Sequence, residues 1–145
     1  MGEHYVTRRE AREQAFVLIF EQSFREEPMD EILADAVEAR CLEPDDFAIA
    51  VAKGVEAHRD ELDQTIGQYS RKWEKNRISR VALSLLRLAT YEIRFSDNIP
   101  IGVAINEAVE LSKKYAGEED ASFINGILGS IARQAEASSG EGTQV

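Results

Sequence analysis

Between Arg77 and Tyr115 the chain reads RISRVALSLLRLATYEIRFSDNIPIGVAINEAVELSKKY, and this stretch restricts the possible folds more than any other. Ile78, Val81, Ala82, Leu85, Leu88 and Ala89 recur at steps of three and four, the apolar stripe of an amphipathic helix. Arg77, Arg80, Ser84, Arg87, Tyr91 and Arg94 follow the same kind of spacing on a second face, which the pattern turns outward. Ser96, Asp97, Asn98 and Pro100 punctuate the chain, and Pro suits a first helical turn, where its missing N–H is not needed. A second helix follows, with Ile101, Ala104, Ile105, Ala108, Leu111 and Tyr115 on its buried side and Glu107, Glu110, Lys113 and Lys114 off it. The expected unit is a helical hairpin.

The rest of the chain scans the same way. Thr7 is placed to cap a helix, Glu10 stands three residues on as in a capping box, and Ala11, Ala15, Phe16, Ile19, Phe20 and Phe24 form its apolar face. Pro28 separates it from a shorter helix over Met29 to Ala39, with Ile32, Leu33, Ala36 and Val37 apolar. After Pro44, Asp45 or Asp46 caps a longer helix reaching Ile66, whose acids Glu56, Asp60, Glu61 and Asp63 are read as a solvated face. Trp73 is expected to pin the connection that follows. Ala116 and Gly117 read as a helix stop and Glu118, Glu119 and Asp120 as the acidic first turn of a last helix, with Ile124, Ile127, Leu128, Ile131 and Ala132 as its core stripe. Gly126 and Gly129 within that helix are expected to permit close helix approach. No segment alternates like a strand. The class is all-α with about seven helices, in one domain over residues 7–133, preceded by a flexible leader (1–6) and followed by a disordered tail (134–145).

Charge narrows the function. A net charge of −10 argues against a general polyanion binder, because affinity for nucleic acid rests mostly on phosphate neutralisation by Lys and Arg. Yet residues 71–94 carry seven bases against two acids, so the positive charge is local and suggests a defined docking surface. Arg8, Arg9 and Arg12 sit in the first turns of their helix, where cations oppose the helix dipole, and that unfavourable placement hints at another use. With Phe123 they make one candidate surface, able to hold phosphate and stack an unpaired base. Arg80, Arg87 and Arg94 with Tyr91 make a second, suited to an acidic partner protein.

Catalytic equipment is missing. The chain has no GxxxxGK[ST], GxGxxG or GxSxG motif. His4 and His58 have no nucleophile or metal partner nearby in sequence, and a di-iron bundle would need Glu-x-x-His where Val55 precedes His58. The single cysteine, Cys41, excludes an internal disulfide and reads as a small, half-buried hydrophobe. No apolar run approaches the roughly 20 residues that cross a bilayer. These features point to a cytoplasmic binding protein with no catalytic residues, metal or cofactor.

Four ordered motifs then bring a family into view: TRREAREQAFVLIFEQ, RVALSLLRLATYEI, PIGVAINEAVELSKKY and FINGIL. Over about residues 7–133 the chain resembles the NusB family of transcription antitermination factors. The resemblance implies an all-α fold of two small packed helical bundles. It also implies binding of boxA-type single-stranded RNA together with NusE, a small-subunit ribosomal protein, within an elongation complex that holds other Nus factors and supports ribosomal RNA transcription. By motif match the RNA contacts fall on Arg8, Arg9, Arg12, Glu119, Ser122 and Phe123, and the NusE face on Arg80, Arg87 and Tyr91. Ser122 stands where family members commonly carry Lys, which removes one phosphate contact, and Val17 where Gln is frequent. The resemblance admits a monomer or a homodimer. A helical protein scaffold without direct RNA binding is the alternative function. Cytosine methyltransferases with a similar N-terminal domain would need a catalytic domain, for which a chain ending at Val145 leaves no room.

Overall fold

The computed structural model describes residues 6–40, 43–70 and 78–143, with side chains omitted for Arg40 and for 138–143. Among these residues the elements are α1 (Arg8–Gln22), α2 (Met29–Arg40), α3 (Asp46–Ala57), α4 (Arg59–Tyr69), α5 (Arg80–Phe95), α6 (Ile101–Tyr115) and α7 (Glu118–Thr143). Cys41, Trp73 and Arg77 lie outside the described residues.

Local chemistry sets most of the helix ends. Thr7 Oγ1 accepts the Glu10 N–H at 3.0 Å and the Glu10 carboxylate accepts the Thr7 N–H at 3.1 Å, closing the expected capping box. Asp45 caps α3 and Ser79 caps α5 through their side chains. Gly117 ends α6 at a φ of 140°, a backbone state that a side chain would strain, and donates its N–H to the Ser112 carbonyl at 2.9 Å.

α1, α2 and α3 pack together, as do α4, α5, α6 and α7, and α5 touches α1 and α3 as well as its own three neighbours. Two small bundles therefore share one central helix. Its stripe Ala82, Leu85, Leu88 and Ala89 is buried, with Leu86 and Thr90 beside it, and meets Phe16, Leu18 and Ile19 of α1, Val51 and Val55 of α3, and Ile124, Leu128 and Ile131 of α7 in one continuous core.

Four expectations need correction. The long helix from Asp46 to Ile66 is two helices, broken at His58, whose backbone (φ −109°, ψ 17°) leaves the helical region and whose ring stacks 4.1 Å from Phe95. That tertiary contact turns the chain where local propensity would have continued it. The acids of this region are not simply solvated: Glu56 accepts from Gln22 Nε2 at 2.7 Å and from the Met29 N–H at 2.8 Å, so it caps α2 from α3, and Asp63 binds Arg87. A Cβ at Gly126 would meet nothing within 4 Å, and one at Gly129 only Arg133 of the next turn, so neither glycine serves close helix approach. Finally, α7 runs past Gln134 to Thr143, because Arg133 to Ala137 are good helix formers and no breaker precedes Gly140.

Candidate nucleic-acid interface

The capping box at Thr7 fixes the direction in which the first turn of α1 presents its arginines. Arg8 is exposed, its guanidinium 4.0 Å from the Phe47 ring centroid, and no carboxylate among the described residues pairs with it. Arg9 is exposed too, but it is engaged: its Nε and Nη2 donate to the Glu107 carboxylate at 3.0 and 2.9 Å, with side-chain exposures of 67% for Arg9 and 13% for Glu107. The hydrogen bond and the charge of Glu107 raise the Arg9 pKa further above its ordinary value. Arg12 does not belong to this surface. It is 2% exposed and donates from Nε and Nη2, both at 2.9 Å, to the fully buried carboxylate of Glu92 on α5. The expected triad of RNA-facing arginines is thus a surface pair and one internal cross-link.

From Arg9 a polar seam follows the line between α1 and α6. Glu13 accepts from Lys114 Nζ at 2.6 Å and from the Tyr115 hydroxyl, and the Tyr115 ring lies 4.9 Å from Phe16. Partial burial would raise the Glu13 pKa, but the Lys114 and Tyr115 hydrogen bonds outweigh it and hold the carboxyl below its usual range. Burial and the Glu13 charge push the Tyr115 phenol up to about 12. The seam ends at the Gly117 turn, where α7 begins with Glu118 and Glu119 exposed, Ser122 exposed and Phe123 half-buried against the core. Asp120 accepts from Ser79 Oγ at 2.8 Å, which ties the start of α7 to the start of α5.

The two halves of the RNA site expected from sequence therefore do not form one cluster. Glu107 and Tyr115 are eight residues apart on α6, a rise of about 12 Å, so Arg9 and the Glu119–Phe123 turn stand at opposite ends of the seam. Glu107 was not among the expected site residues. Its partner is 98 residues away in sequence, and no local signal could have shown the pairing.

The expected partner face fares differently. Arg80 is exposed, lies 4.5 Å over the ring of Phe24 and donates to the Ser23 carbonyl. Phe24 itself is 58% exposed rather than in the core, because α1 has ended at Gln22. Arg87 is withdrawn, donating to Asp63 of α4 at 2.8 and 2.9 Å. Tyr91 packs on Gly54 of α3 and stands 5.6 Å from Phe95. Arg80, Arg87 and Tyr91 accordingly meet α1, α4 and α3 in turn, and only Arg80 remains an exposed cation of the three. Among the described residues no group of His, Cys, Asp and Glu is arranged to hold a metal ion, and no helix is long and apolar enough to cross a membrane.

Comparison with known proteins supplies what geometry alone does not. The model of the NusB family matches residues 9–133. The transcription antitermination protein NusB of Acetivibrio thermocellus is 44% identical over 128 residues, covering 87% of this chain and 88% of that protein. Its counterpart in Clostridium novyi is 39% identical over 130 residues, covering 87% and 98%. Among solved structures, NusB of T. maritima superposes with a TM-score of 0.77 at 36% identity, covering 90% of this chain and 93% of that one. A chain from a crystal structure of antitermination factors NusB and NusE in complex with dsRNA superposes with a TM-score of 0.78 at 28% identity, covering 88% and 96%.

Proposed function

This chain belongs to the NusB family of transcription antitermination proteins, and from that premise we propose that it binds boxA-type single-stranded RNA jointly with NusE and so supports ribosomal RNA transcription. It acts in the cytoplasm as a binding factor, without catalysis, alongside the other Nus factors of the elongation complex. The observation that carries the reading is the exposed arginine pair at the start of α1, linked by the α1–α6 seam to the exposed Glu119 and Ser122 and the half-buried Phe123 of α7. An unpaired strand laid along this seam meets cations at one end and an aromatic ring with backbone N–H groups at the other.

Magnitudes explain why a second protein is needed. Two arginines that neutralise about two phosphates give a salt exponent of only about −1.4 on single-stranded RNA, so quadrupling the salt weakens binding roughly sevenfold. Ser122 adds no charge. NusE, docking over Arg80 and Phe24, extends the footprint with its own contacts.

Fluorescence anisotropy with a boxA-like strand and a scrambled strand, with and without NusE, tests the reading. Selective binding that NusE strengthens and Arg8→Ala/Arg9→Ala weakens supports it. Equal, feeble binding to both strands under every condition refutes it and favours a protein scaffold.

A further inference from the structure

On the side of α1 that faces away from α6 lies a cleft of about 600 Å³, walled by α1, α3, the end of α5 and the 96–100 turn. This is within the size range of small-ligand sites. Arg8 and Phe47 form one lip, Tyr91 and Phe95 the back, and Asn98 and Val103 the other lip. The Arg8 guanidinium covers Phe47 at 4.0 Å, while Phe95 is 37% exposed with one side stacked on His58. Arg12 contributes to the floor but is locked to Glu92, so it supplies shape and leaves Arg8 as the cation at the mouth. Asp97 is the opposing charge on the rim.

We infer that this cleft is a nucleobase subsite, taking one unpaired base of a bound RNA strand between the aromatic residues Phe47 and Phe95 while Arg8 holds the adjoining phosphate. The inference rests on the RNA-binding reading above, and it moves Tyr91 from a protein-docking face to the wall of an RNA cleft. Three features select a base over a protein side chain. Exposed rings flanking a cation are what unpaired bases stack on. The Asn98 amide and the Ser96 hydroxyl on the same turn supply the donors and acceptors that a base edge requires. The cleft also shares Arg8 with the proposed strand path, so a nucleotide leaving the seam at Arg9 needs only to round the first turn of α1 to enter it. Asp97 disfavours a phosphate on the far rim, which places the phosphate at Arg8 and the base inside.

The test uses the full chain and a boxA-like single strand in which each purine is replaced in turn by 2-aminopurine, a base whose fluorescence responds to stacking. One position is expected to change emission on binding, and that change is expected to vanish in Phe95→Ala. Phe95→Ala and Phe47→Leu are expected to weaken anisotropy-detected binding by about fivefold to a hundredfold, the range for losing one stacked base, with circular dichroism confirming the native helix content. His58→Gln, beside the cleft but not lining it, guards against a folding artefact and is expected to bind as the native protein does. If the strand binds and depends on Arg9 while the Phe47 and Phe95 variants bind as well as the native chain, the subsite is overturned and the RNA reading stands. If those variants instead lose NusE binding in the absence of RNA, the cleft is a protein contact and the inference fails. If no strand binds with or without NusE, both readings fall.

Discussion

Arg12 and Glu92 face each other across α1 and α5 through two hydrogen bonds of 2.9 Å, both side chains shut away from water. They are 80 positions apart in sequence, and their pairing fixes the register of the first helix on the central one. Because the charges are desolvated, removing either leaves the other uncompensated. Arg12→Ala or Glu92→Gln is expected to lower stability by about 3–5 kcal/mol in urea denaturation, whereas Arg12→Met/Glu92→Leu recovers most of that loss. If Arg12→Ala cost less than about 1 kcal/mol, the pair would not be the cross-link described.

Glu107 occupies Arg9 in the absence of RNA, so a phosphate must displace or share that carboxylate. Glu107→Gln is therefore expected to tighten RNA binding severalfold and to steepen the salt exponent by about 0.7, one additional phosphate contact. Anisotropy titrations between 50 and 200 mM salt, about the range over which such slopes are read, provide the check. An unchanged slope would mean that Arg9 does not touch phosphate.

Gly54 has no room for a side chain, since an added Cβ would lie 2.2 Å from the Tyr91 hydroxyl oxygen and 2.3 Å from its Cζ. Gly54→Ala is expected to destabilise the fold by about 1–3 kcal/mol through overpacking, despite the better helix propensity of Ala. The double variant Gly54→Ala/Tyr91→Ala is expected to lose less than the sum of the two single losses, as the clash is then gone.

The seam between α1 and α6 makes stability depend on pH at both extremes. The Glu13 pKa is lowered in the folded chain, so its contribution is present above the unfolded value near 4.3 and is lost as pH falls through the lower folded value. The Tyr115 pKa is raised from 10 to about 12, so its contribution is complete below pH 10 and is lost as pH rises toward 12. Denaturation midpoints of Glu13→Gln are expected to vary less with pH in both windows than those of the native protein, since both shifts depend on that carboxylate.

What could be read from the sequence was what neighbouring residues decide among themselves. The Thr7 box, the Asp45 and Ser79 caps, the Ala116–Gly117 stop and the apolar stripes are set by residues within a few positions of one another, and the structure has them where the pattern put them. Charged residues at helical spacing give no such guidance. Arg80, Arg87 and Arg94 look alike in sequence, yet Arg87 is buried because Asp63, 24 residues earlier, turns toward it across α4. Glu56 and Asp63 read as solvent-facing for the same reason: their partners lie on other helices. The His58 break was hidden because the ring that stacks on it, Phe95, comes from the far end of α5.

The central place of α5 sets how the molecule comes apart. A helix shared by both bundles cannot loosen one while the other stays whole, so α5 and the segments of α1, α3 and α7 packed on it should exchange their amide hydrogens together, at the free energy of global unfolding. α2 packs chiefly on α1 and α3, with Val37 left in solvent, and is expected to trade its amides sooner, as a separate and earlier wave.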